Sequence, residues 1–188
     1  YALSVSATTR DPRRGEKDGI DYFYVTTEKF KQMIEADELI EYAQYVKNYY
    51  GTPKAYVQQQ LDLGKNVILE IEIQGALKIK KQFPDTILLF VTAPDAKTLR
   101  DRLVGRGTET QDVINARLAR ACEESEGIEN YDYLVVNDTV AHGVEVIHQL
   151  IGDERSGNTA QNAAYRVSSN IDFINNMKEE LVSFSKGE

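Results

Sequence analysis

Apolar and polar positions change period along the chain, and the changes mark its elements. Residues 66–73 (NVILEIEI) alternate, with Val67, Leu69, Ile71 and Ile73 on one face and Ile68, Glu70 and Glu72 on the other, the pattern of a strand. Residues 86–93 (TILLFVTA) form a near-continuous apolar run, expected of a strand covered on both faces in a parallel sheet. Residues 133–136 (YLVV), closed by Asn137 and Asp138, predict another strand, and residues 2–5 a fourth. Between them the period lengthens to that of a helix. Residues 27–36 carry Phe30, Met33 and Ile34, residues 55–63 carry Val57 and Leu61, and residues 95–104 carry Leu99 and Leu103. A more charged helix is expected over 113–127 and another over 140–151. Strands alternating with helices imply βαβ units, so the fold class is α/β, three-layered, with a parallel central sheet.

Residues 152–163 (GDERSGNTAQNA) are polar and rich in Gly, Ser and Asn, and read as a mobile connection. Beyond them Ile171, Ile174, Met177 and Leu181 stand behind Ser168, Ser169 and Asn170 as a terminal amphipathic helix. Its stripe is expected to pack on the core; a partner-binding helix is the competing reading.

Composition narrows the class. A chain of 188 residues with 41% hydrophobic and 28% charged residues suits one globular domain. No apolar run approaches the ~18 residues of a membrane span, so no membrane partner is expected. A single cysteine, Cys122, builds neither an internal disulfide nor a zinc site, which favours a reducing cytoplasm. The net charge of -8 argues against a general nucleic-acid binder, which needs a basic face for phosphates. Any cationic site is therefore a local cluster in an acidic background.

Four such neighbourhoods carry candidate chemistry. The segment SVSATTRDPRRGE gathers Ser4, Ser6, Thr8, Thr9, Arg10, Arg13 and Arg14, hydroxyls and guanidinium forks suited to a phosphate dianion, with Pro12 setting a turn between Arg10 and Arg13. A solvated edge and turn is the plainer reading. LIEYAQYVKNYYGTP places Glu41 among Tyr42, Tyr45, Tyr49, Tyr50 and Thr52. A carboxylate there can accept two parallel hydrogen bonds from a flat donor pair under a stacked ring. Guanine offers that pair and adenine does not; the alternative is a packing surface with Glu41 solvated. Glu70 and Glu72 fall near the carboxyl end of a parallel strand, where open α/β sheets bind ligands, and suit Mg²⁺ or a substrate hydroxyl as well as a structural role. Finally, Arg100, Arg102, Arg106, Arg117 and Arg120 surround a hinge at Gly105 and Gly107, or line a solvated helix face.

Taken together, SATTRDPRRGEKDGIDYFYV, EYAQYVKNYYGTP, ILEIEIQGA and RLVGRGTE, in this order and spacing, resemble guanylate kinase from Ser4 to about Leu150. The resemblance implies a P-loop nucleoside monophosphate kinase fold in one domain over 1–188. A GMP-binding lobe would span about 6–66, a lid about 100–120, and a polar linker with a terminal helix 152–188. It implies transfer of the γ-phosphoryl group of ATP to GMP with Mg²⁺, by a monomer or homodimer. On this reading Ser6, Arg10, Arg13, Tyr22 and Tyr50 hold the GMP phosphate. Glu41, Thr52 and Glu70 read the guanine, and Glu72, a second acidic residue near the base and the metal, is the last of the GMP-binding set. Arg102, Arg106 and Arg117 match arginines reaching the transferred phosphoryl group, and Asn137 and Asp138 match contacts to the ATP adenine. The chain departs from the family in having no G-x-x-x-x-G-K-[ST] motif. The loop and its flanking strand and helix would precede Tyr1, so the natural protein is expected to be longer at its N-terminus. Guanylate-kinase-like binding modules, which keep the lobe without catalysis and bind phosphorylated peptides, are the alternative.

Overall fold

The computed structural model describes residues 1–45, 47–105 and 111–186, in two compact units, Tyr1–Thr86 and Ile87–Glu188. In the first, β1 (Ala2–Leu3) pairs in parallel with β6 (Val67–Ile68), while β2 (Ala7–Thr8) enters a separate four-stranded sheet. There β3 (Phe23–Tyr24) runs parallel to β2, and a hairpin of β4 (Leu39–Tyr45) and β5 (Asn48–Pro53) completes the order β3-β2-β5-β4.

α1 (Thr27–Glu35) starts where Thr26 accepts the Lys29 amide at 3.2 Å, satisfying one orphan donor of the first turn. Phe30 and Met33 then face Ala7 and Leu39, and this cluster is the core beneath the four-stranded sheet. α2 is Lys54–Asp62 and α3 is Ile73–Gln82.

Two findings here correct the sequence pattern. The alternation over 66–73 forms strand only at Val67–Ile68, because the Glu72 side chain accepts the Gly75 amide at 2.7 Å and caps α3. The hairpin did not register as strands because Leu39 and Glu41 are both buried, which puts a carboxylate where alternation calls for a hydrophobe.

In the second unit β7 (Leu89–Thr92) and β8 (Tyr133–Val136) pair in parallel over their full length, as expected. α4 (Ala96–Gly105), α5 (Gln111–Ser125), α6 (Val140–Ser156) and α7 (Ile171–Lys186) are its helices. Tyr133 and Val135 on β8 pack with Val146 and Leu150 of α6, and Leu134 with Ile174 of α7. Met177 and Leu181 bury against Ala96, so the terminal stripe packs on the core. α6 runs five residues past the expected 151, to Ser156, and ends on Gly157 at φ 76°, a left-handed cap that glycine adopts without strain. A 3₁₀ helix over Thr159–Tyr165 follows, with fully buried Asn162 donating to the Leu150 carbonyl at 3.5 Å. The stretch expected as a mobile connection therefore carries regular structure, and one of its polar residues serves the interior.

Candidate active site

At the end of β2 the Thr8 hydroxyl accepts the Arg10 amide at 3.2 Å and donates to the Tyr49 carbonyl at 3.0 Å, turning the chain so that Arg10 leaves the sheet in a fixed direction. The Arg10 guanidinium is then held on three sides. Its Nη1 and Nη2 each donate to Glu16 at 3.0 Å, and Nη1 also donates to the Asp11 carbonyl at 2.7 Å. Its central carbon, Cζ, lies 5.3 Å from the Tyr22 ring centre and 5.9 Å from that of Tyr24. Tyr22 meets Tyr50 edge-on at 6.1 Å, and the Tyr50 hydroxyl also bonds to Arg10.

Glu16 is the hub of this cluster. Besides Arg10 it accepts the Tyr24 hydroxyl at 2.7 Å and the Arg13 amide at 2.6 Å. These donors, Arg10 first, hold its carboxyl down at about 2, and the same pairing raises the Arg10 pKa further above its ordinary value. Burial, reinforced by the Glu16 bond, pushes the Tyr24 hydroxyl up to about 12; Tyr22 is raised by burial and then by the charge of Glu70. A guanidinium has five N–H donors, and Glu16 and Asp11 use three on Arg10. The Tyr50 hydroxyl takes part in binding the remaining side of the guanidinium, so Arg10 and Tyr50 together offer donors suited to a phosphate oxygen. Glu16 went unassigned in the sequence; the available signal was a carboxylate two residues after the Arg13–Arg14 pair and six after Arg10. The Ser6 carbonyl accepts the Phe23 amide at 2.9 Å, so that residue sits at the β2–β3 seam, and the Arg13 side chain is exposed on the following loop.

The second cluster lies on the same hairpin. Glu41 faces Thr52 across β4 and β5; only 5% exposed, it accepts the fully buried Thr52 hydroxyl at 2.7 Å. Burial pushes the Glu41 carboxyl above the ordinary range; the Thr52 bond opposes the shift and the nearby Glu72 charge adds to it. Lys78 of α3 donates to the Tyr42 carbonyl at 3.0 Å and lies 5.2 Å from that ring, tying helix to hairpin. Tyr50 and Thr52 are two apart on β5, so both point to one face about 6.7 Å apart. Glu70 is exposed and Glu72 caps α3. The first unit thus joins a fixed guanidinium among tyrosines to a buried carboxylate acceptor.

The remaining candidates lie in the second unit. Exposed Arg102 donates from Nη1 to the Asn137 carbonyl at 2.8 Å and from Nη2 to the Asp138 carbonyl at 2.9 Å, at the carboxyl end of β8. The Asp138 carboxylate is held below its ordinary range, first by His142 Nδ1 at 2.8 Å and then by the Thr139 amide. Arg117 is half-buried on α5, and Arg106 lies outside the described residues. No group of three or more His, Cys, Asp or Glu side chains forms a metal cage among the described residues. Nor is any described helix long and apolar enough to cross a membrane.

Parallel βα units with a separate mixed-sheet lobe give the fold of the P-loop nucleoside monophosphate kinases. Residues 1–154 match the family described as guanylate kinase, and the chain belongs to that family. It is similar to the guanylate kinase of Shouchella clausii (strain KSM-K16), 54% identical over 151 residues, covering 80% of this chain and 74% of that one. Against the guanylate kinase of Latilactobacillus sakei subsp. sakei (strain 23K) identity is 50% over 154 residues, 82% and 76% of the two chains. Among solved structures, the crystal structure of guanylate kinase from Anaplasma phagocytophilum superimposes with a TM-score of 0.70 at 32% identity, over 81% of this chain and 75% of that one.

Proposed function

We propose that this protein is an ATP:GMP phosphotransferase of the cytoplasm, taking GMP and ATP to GDP and ADP. The observation that carries the reading is Glu41: a buried carboxylate, held by Thr52, on the same sheet as the fixed Arg10. In this reading the Glu41 oxygens accept the N1–H and N2–H donors of guanine beside Thr52, with Glu70 at the base edge. Arg10 takes the GMP phosphate together with Tyr22, Tyr50, Arg13 and Ser6. AMP offers no such donor pair, and a buried acceptor left unpaired can reject an analogue by about 10⁴–10⁵.

Phosphoryl transfer asks the protein for positioning and charge stabilisation rather than covalent chemistry. Arg102, Arg106 and Arg117 would supply positive charge where it develops on the transferred group, and Asn137 and Asp138 would border the adenine. Mg²⁺ usually keeps most of its waters and binds through one or two carboxylates plus substrate phosphates; exposed Glu70, whose charge acts on Tyr22, is a carboxylate that could serve it. When bound it would neutralise the donor phosphates. We assign the GMP lobe to about 6–66 and the lid to about 100–120 of a single catalytic domain.

The test is the steady-state rate of ADP release from ATP with GMP or AMP as acceptor, for the wild type and Glu41→Gln. The reading expects turnover with GMP only, and a loss in Glu41→Gln of about 100-fold in kcat/KM for GMP, since the amide presents a donor to a donor. Equal rates with both acceptors, or an unchanged GMP constant in the variant, would overturn it.

A further inference from the structure

Glu41 must hold two oxygens in place for a planar donor pair, and its surroundings show how. Oε1 is tied to Thr52 at 2.7 Å. On the sheet side its backbone rests on Gly51, where an added Cβ would meet the Glu41 carbonyl oxygen, Leu39 and Phe30 at 3.0 Å each. On the helix side the carboxylate lies against Gly75 in the first turn of α3, where an added Cβ would stand 2.5 Å from Oε2 and 3.1 Å from the carboxyl carbon. Gly75 has an ordinary helical backbone and no positive φ, so nothing in its conformation requires glycine. Glycine is the poorer helix former than alanine. The demand at this position is for space, and Glu41 fills that space.

We infer that Gly75 is a specificity-positioning residue: the volume a side chain would occupy there is the seat of the Glu41 carboxylate, which fixes it for reading the base. This rests on the reading of Glu41 given above. Ordinary contact begins at 3.4 Å, so a methyl group at Gly75 displaces Oε2 by about 0.9 Å from its 2.5 Å position. A misplacement of about 1 Å at a positioning group can cost as much as about 100-fold.

Calorimetric titration of the full chain with GMP and with AMP tests this in wild type, Gly75→Ala, Glu41→Asp and the double variant. Gly75→Ala is expected to weaken GMP about 10- to 100-fold and leave AMP within about threefold. In the Glu41→Asp background, where the shorter carboxylate no longer reaches the seat, adding Gly75→Ala should cost less than about threefold. Equal costs in both backgrounds would mark a general effect on the helix and overturn the inference, as would a Gly75→Ala protein binding GMP like the wild type. A wild type that does not prefer GMP over AMP instead fails the underlying reading, and the inference falls with it. Should Gly75→Ala not fold, Gly75→Ala with Glu41→Ala removes the obstructed group and is expected to fold; if it does not, the inference is overturned.

Discussion

Exchanging Glu16 for glutamine keeps the side-chain volume and removes the charge that holds Arg10. The carboxylate accepts from both terminal nitrogens of Arg10 at 3.0 Å, from Tyr24 at 2.7 Å and from the Arg13 amide at 2.6 Å. Its pKa of about 2 against the ordinary 4.5 corresponds to an upper bound of about 3.4 kcal/mol. The carboxylate side chain is 19% exposed, so water weakens the pair, and about 1–2 kcal/mol is the working figure. The folded pKa is depressed, so this contribution is complete above about 4.5 and is lost as pH falls from there toward 2. Denaturant unfolding at stepped pH should show a loss of about 1–2 kcal/mol over that window in the wild type and a smaller one in Glu16→Gln. With Arg10 released from its fixed direction, KM for GMP should rise about tenfold. The preference for GMP over IMP should stay unchanged, because Glu41 is untouched. An unchanged KM together with an unchanged acid profile would refute the assignment of Glu16 as the group that aims Arg10.

Other outcomes follow from the same geometry. Thr52→Val leaves the buried Glu41 carboxylate without its hydroxyl donor and should cost about 1–3 kcal/mol in urea unfolding at pH 7.5, with the deficit shrinking as Glu41 protonates at lower pH. The Glu41 pKa is raised by burial, so its charge opposes folding above the folded pKa and is relieved as pH falls through it. GMP needs the anion, so its affinity measured by titration should fall on acidification at a pH above the usual carboxylate range, while AMP binding should not follow that titration. Phe30→Ala opens the core shared with Ala7, Met33 and Leu39 and should cost about 3–5 kcal/mol in thermal or denaturant unfolding, weakening GMP binding through the hairpin that this core supports.

The parallel pairs and most helices were legible because their periods are plain. The runs 86–93 and 133–136 have few polar interruptions, and β7 and β8 pair at those positions. The lobe was legible only as chemistry. Its hairpin hides from pattern reading because β4 carries buried Glu41 on its inner side and β5 carries buried Thr52 opposite it, so polar residues displace the hydrophobic alternation. The end of the 66–73 strand was missed because Glu72 reads as an outward strand position when it is a helix cap. Arg10, Tyr22 and Tyr50 could be named from a resemblance, whereas Glu16 shows its role through the geometry of a short loop that aims it at Arg10, and Gly75 through a long-range contact made where it lacks a side chain.

The most direct test is a crystal structure of the protein with GMP. Guanine N1 and N2 within hydrogen-bond distance of the two Glu41 oxygens, with the phosphate on Arg10 and the Tyr50 hydroxyl, is the predicted result. A base seated away from Glu41, or a phosphate held by groups other than Arg10 and its tyrosines, would contradict it.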